Sequence, residues 1–171
     1  MFPILFKLIS FVPWFLLVGT SRVLAYIMMW LNSSQYKVTK NNINHCLGGD
    51  KTIINKSFLR TSELLFEYPY VWGNPENYKN LVEKDSIEYS FPDEKKPKII
   101  FSMHMGCVDV MLFLMSEKIK GLNIVYSKAK NEHIENLTKK IRQSKGANMV
   151  SADSSGIKDL YKRFFEGESI I

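Results

Sequence analysis

The chain has 171 residues, enough for one domain with a real core, and its 46% hydrophobic and 23% charged composition excludes a disordered or low-complexity protein. Its formal charge of +6 favours anionic partners: acidic proteins or phosphate-bearing head groups. Nucleic acid is disfavoured, because no zinc-finger spacing, RNP-type aromatic motif or Arg-rich stripe is present. Cys46 and Cys107 lie far apart without CxxC or Cys/His spacing, which argues against a disulfide framework and a zinc site and for a reducing compartment.

The N-terminal residues 1–31 depart from this average, carrying only Lys7 and Arg22 as charges. Their uncharged stretch from Leu8 to Ser21 is shorter than the roughly 20 residues that span a bilayer. Spanning requires Lys7 or Arg22 to snorkel to an interface. Pro13 and Gly19 suggest a kinked or re-entrant segment instead of a straight span. A cleaved signal peptide fits poorly, since no basic region precedes the apolar run. Residues 1–31 are therefore expected to be an apolar membrane-anchoring helix, with a buried core helix as the alternative. The flank at 32–60 carries Lys37, Lys40, Lys51, Lys56 and Arg60 against Asp50 alone. Such short basic segments stay on the cytoplasmic side, so residues 32–171 are expected to face the cytoplasm.

A helix is predicted in residues 51–72, with Ile54, Phe58, Leu65 and Tyr68 near one face. Residues 74–86 are polar and turn-rich, with room for a short helix, and 91–98 reads as a charged loop. From there the pattern alternates. Strands are predicted at 98–103, 122–127 and 146–151, helices at 107–119, 132–145 and 155–167, the last stopped by Gly167, and a fourth strand begins at 168–171. Strand–helix alternation with short connections predicts an α/β fold, a largely parallel sheet with flanking helices.

His104 and Asp109 interrupt the most apolar part of this region, "IIFSMHMGCVDVMLFLM". A buried carboxylate costs several kcal/mol unless paired, so the two residues are expected to answer to each other. On one helix they would point roughly 140° apart. They meet only if His104 stands on the turn before the helix while Asp109 reaches back from its first turn, Gly106 giving the permissive backbone. Two readings follow: a core histidine satisfied by a local cap, or a general base with its orienting carboxylate. A metal site is poorer for want of a third ligand, and nothing nearby lowers the pKa of Cys107.

At these residues the sequence resembles a known family. "FSMHMGCVDV" is similar to the His-x4-acid block of the lysophospholipid acyltransferase superfamily, and more specifically of the lauroyl/myristoyl acyltransferases that finish lipid A at bacterial inner membranes. That block commonly reads His-x-Gly-Asn-Trp-Glu; His104 and Gly106 match, Asp109 takes the acidic position, and Cys107 and Val108 depart from the Asn-Trp pair. The segment after the anchor matches at Asn42, and the second block matches at Tyr126, Asn131, Arg142, Gly146 and Gly167. Ser127 replaces the usual arginine and Lys128 the usual proline, leaving Lys128 and Lys130 to supply the positive charge.

The resemblance implies an acyltransferase fold, with His104 and Asp109 as a catalytic dyad. It also implies substrate binding by Gly106, Tyr126, Lys128, Lys130, Asn131 and Arg142. The implied reaction moves a fatty acyl chain from acyl-carrier protein or acyl-CoA to a hydroxyl of an anionic glycolipid such as a lipid A precursor, with no cofactor or metal. The basic run at Lys139, Lys140, Arg142 and Lys145 suits an acidic carrier protein or simply a solvated helix face. A non-catalytic membrane-tethered binding module and a hydrolase passing the acyl group to water are the alternatives. Chains of the family run on through an Asp-Gln block, so this one is expected to be an N-terminal portion whose final strand leaves an apolar edge unpaired.

Overall fold

The computed structural model describes residues 2–83 and 96–171. It divides into two units, Met1–Asn74 and Pro75–Ile171. The charged loop expected at 91–98 lies mostly outside the described residues.

The first unit is helical. Helix α1 (Phe2–Ile9) and α2 (Trp14–Trp30) are bent by 109° at the break before Pro13 and Trp14, so no single helix here is long and apolar enough to cross a membrane. The proline accounts for the break, because it cannot donate a helical N–H and restricts the residue before it. Gly19, the other suspected kink, lies inside α2. Ser33 caps α3 (Ser34–Leu47) and Asp50 caps α4 (Lys51–Gly73), accepting from Thr52 N–H at 2.6 Å. Helices α1, α2 and α3 all pack on α4. Gly73 permits this, since a Cβ there would stand 2.0 Å from the Phe6 carbonyl oxygen.

The buried face of α4 runs through Ile54, Phe58, Ser62, Glu63, Tyr70 and Val71. Ile54 and Phe58 fall as predicted, but Leu65 is exposed, and the polar pair Ser62 and Glu63 takes the inner face. Glu63 goes there because Arg22 of α2 and Arg60 meet its carboxylate at 2.7 and 2.6 Å. Large apolar side chains meanwhile stay outside, among them Ile4, Leu8, Phe11, Phe15, Val23 and Trp30.

The second unit starts with a 3-10 helix (Pro75–Asn80), the short helix expected there. It continues with α5 (Val108–Lys118), β1 (Asn123–Tyr126), α6 (Glu132–Gln143), β2 (Asn148–Ser151) and α7 (Ser154–Phe165). Strands β1 and β2 pair in parallel, Asn123 opposite Asn148 and Tyr126 opposite Ser151. Each predicted element from 107 to 167 is present within a few residues, but the first and fourth strands are reduced to isolated bridges at Ile99 and Ile170. Residues 101–104 have no regular structure. The chain is mostly helical and its extended sheet is a parallel pair, smaller than the one expected.

The final residues add to that pair from inside. Ile170 bridges Ile99 on one side and Asn123 on the other, both in parallel. Its N–H donates to Lys98 O and its carbonyl accepts from Ile100 N–H, each at 2.8 Å. Thus the expected open edge at Ile170 is occupied on both sides. The spatial order is 98–100, 169–171, β1, β2, and Leu112 of α5 meets Ile124 and Ala147 in a core flanked by Val108, Met111, Met149 and Ile171. Gly156 lets α7 start hard against β2, since a Cβ there would stand 1.9 Å from the Ser151 carbonyl oxygen.

One charged latch ties the 3-10 turn to α5 and the end of α6. Lys145 bonds Glu76 and, at 2.8 Å, Glu117. Hydrogen bonds from Lys145 and Lys79 pull the Glu76 carboxyl down from 4.5 to about 2. Because the folded value lies below the unfolded one, this stabilisation is complete above about pH 4.5 and fades as pH falls toward about 2. Acid titration followed by circular dichroism is expected to show that loss, and Lys145→Met is expected to flatten it.

Candidate active site

Asp109 occupies the first turn of α5 and is wholly buried, at 0% exposure. Its partner comes from the next helix: Arg142 Nε donates to Asp109 Oδ1 at 2.6 Å. The Arg142 side chain is itself only 18% exposed. No hydrogen bond joins Asp109 to His104, which stands exposed on the segment before α5 and has no hydrogen bond or ion pair among the described residues. The expected answer to Asp109 therefore comes from 33 residues away and not from five.

His104 and Arg142 nevertheless share a site. Both line a cleft of about 220 Å³ with Phe101, Ser102, Val125 and Ile171. The strand ends at Ile100 and Ile171, strand β1 and the start of α5 form its walls. A second cleft, about 280 Å³, lies across Val108 and Met111, which border both. Its lining is apolar, with Met103, Met105, Val110, Leu114 and Met115, and Gly106 also borders it, with open space where a Cβ would be. A basic imidazole, a guanidinium and an adjoining hydrocarbon-lined cleft suit a substrate that has both an anionic part and an alkyl chain.

The other residues singled out from sequence lie elsewhere. Asn131 caps α6, accepting from His133 N–H at 3.0 Å and Ile134 N–H at 3.3 Å. Tyr126 donates to Glu135 Oε1 at 3.3 Å, and Lys139 Nζ lies 5.1 Å from the centre of its ring. Lys128 bonds Asp153 Oδ2 at 3.0 Å. Asp153 caps α7, and hydrogen bonds from Ser155, Gly156, Lys128 and Ser151 hold its carboxyl far below the usual range. Lys130 is exposed. The basic run of α6 is largely spent inside the unit: Lys139 on Glu135, Arg142 on Asp109 and Lys145 on Glu76 and Glu117. Ser102 and Val125 were missed in the cleft; nothing in their spacing marks them. Among the described residues no group of His, Cys, Asp or Glu could hold a metal ion.

The chain belongs to the bacterial lipid A biosynthesis acyltransferase family, whose model matches residues 2–171. A comparison with curated proteins gives no match. Family membership makes the protein an acyltransferase, with an acyl donor and a lipid acceptor as its substrates.

The ion pair beneath the cleft gives a direct stability test. Breaking a buried pair from one side typically costs about 3–5 kcal/mol, because the remaining charge stays buried. Arg142→Ala and Asp109→Ala are each expected to lower the urea midpoint accordingly. Asp109→Leu combined with Arg142→Met is expected to recover part of that loss.

Proposed function

We propose that the protein transfers a fatty acyl chain from acyl-carrier protein or acyl-CoA to a hydroxyl of an anionic glycolipid such as a lipid A precursor. One observation carries this reading: in a chain of this acyltransferase family, His104 and Arg142 line a single cleft. The acceptor hydroxyl oxygen attacks the thioester carbonyl as His104 takes its proton; the C–S bond then breaks, and the imidazolium returns the proton to the leaving thiolate. Asp109 is the charge that steadies the imidazolium.

Arg142, held by Asp109 at the cleft wall, supplies positive charge for the anionic part of the substrate. Lys128 and Lys130, with Tyr126 and Asn131 beside them, extend that charge along the loop after β1. Gly106 leaves open space at the border of the apolar cleft for the acyl chain. The family's lipid substrate suggests a membrane-associated location. Residues 1–31 serve as the anchor, and the acyltransferase part, 32–171, faces the cytoplasm at a bacterial inner membrane. The exposed apolar side chains of α1 and α2 and the lysines of 32–60 support that assignment.

General-base catalysis contributes roughly 10²–10⁴-fold. His104→Ala is therefore expected to lower transfer by about that factor, and Asp109→Asn to lower it without changing membrane attachment. Near-native transfer by His104→Ala, measured with labelled acyl donor, would overturn the reading.

A further inference from the structure

Phe101, Met103 and Met105 are 91%, 79% and 87% exposed, although each is large and apolar. They alternate with Ser102 and His104, the two polar members of the segment, and both of those line the cleft. Phe101 borders that cleft beside them, and Met103 and Met105 line the adjoining apolar cleft, yet all three keep most of their surface in solvent. Three such side chains standing in water around one histidine form a contiguous apolar patch of the kind that meets another apolar phase.

The neighbouring loop indicates which phase. The segment at 101–105 leaves the C-terminal end of the 98–100 strand, and the loop at 127–131 leaves the C-terminal end of β1. The two strands run parallel to 169–171 between them, so both loops emerge at the same edge. The second loop carries Lys130, which is exposed, and Lys128, exposed but paired with Asp153 at 3.0 Å. An apolar projection beside exposed lysines at one edge matches an anionic lipid surface, where the hydrocarbon region takes the former and the head groups the latter.

We propose that Phe101, Met103 and Met105 dip into the bilayer interface and hold His104 at the level of a lipid hydroxyl. The acceptor then reacts without its hydrocarbon chains leaving the membrane, a transfer whose cost grows with every methylene exposed. Flexible methionines suit a disordered lipid contact, because they adapt to irregular apolar surroundings. The identity of the acceptor rests on the acyl-transfer reading; the membrane contact does not.

The test uses the full chain with Cys46→Ser, which removes the exposed thiol and leaves the buried Cys107. Met105→Cys is labelled with an environment-sensitive fluorophore, and Lys140→Cys on α6 serves as the comparison site. Vesicles of phosphatidylethanolamine and phosphatidylglycerol carry spin-labelled lipid near the head groups, with no acyl donor present. The label at 105 is expected to lose about half its fluorescence, and the label at 140 almost none. Phe101→Ser with Met105→Ser is expected to raise the lipid concentration for half-maximal transfer by about tenfold or more. An unquenched label at 105 on vesicle-bound protein would overturn the proposal, as would equal quenching at both sites. Shielding that depends on protein concentration without vesicles, marking a second copy, would also overturn it. Quenching at 105 without acyl transfer by the unlabelled chain upholds the contact and refutes the acyl-transfer reading instead.

Discussion

The second unit depends on the pairing of Asp109 with Arg142. A carboxylate with no exposure is costly to bury unless it is paired, and Arg142 Nε donates to Asp109 at 2.6 Å. This contact ties the first turn of α5 to the last turn of α6, on either side of β1. It therefore fixes the wall of the cleft that His104 borders. The first unit repeats the device. Burial raises the pKa of the Glu63 carboxyl, but hydrogen bonds from Arg22 and Arg60 outweigh that and hold it below its ordinary value. In each unit a buried acid is answered by an arginine from another helix, and the helices are thereby held in register.

The same economy explains why so few cations remain for a partner. The basic face of α6 looks available in sequence, yet Lys139, Arg142 and Lys145 are all engaged within the unit. Lys37, Lys40, Lys51 and Lys56 on α3 and the start of α4 are exposed, as is Lys130 on the loop after β1, whereas Lys128 on that loop is paired with Asp153. The apolar surface is likewise local: outer faces of α1 and α2, and the segment around His104. Both patterns support the proposed membrane association.

Much of the second unit was legible in sequence because its signals are local. Asn131 and Asp153 are strong helix caps, Gly146 and Gly167 adopt φ of +86° and +95° just past the helices they end, and Ile124 and Val125 favour a strand. The misses are all non-local. Nothing near Asp109 reveals that its partner is Arg142. Leu65 has the helical spacing of a core residue but stays outside, because Glu63 brings Arg22 of α2 to the inner face. The strand predicted at 98–103 shrinks to a bridge at Ile99, since after Ile100 the backbone has no strand partner and Phe101 and Met103 border the clefts instead. The last strand was recognised, but its place between two neighbours depends on pairing across 71 residues to Ile99. The histidine block was readable from the family pattern, whereas the cleft that gives it Arg142 for company was not.

The central claim is acyl transfer to a lipid, and product analysis tests it most directly. Membranes bearing the full chain are incubated with a labelled acyl thioester, on acyl-carrier protein or coenzyme A, and a lipid A precursor with a free hydroxyl. The lipid fraction is then examined by mass spectrometry. The account predicts a labelled lipid heavier by one acyl chain, formed only when thioester and acceptor are both present. Label that stays on the thioester, or that appears solely as free fatty acid, would contradict it.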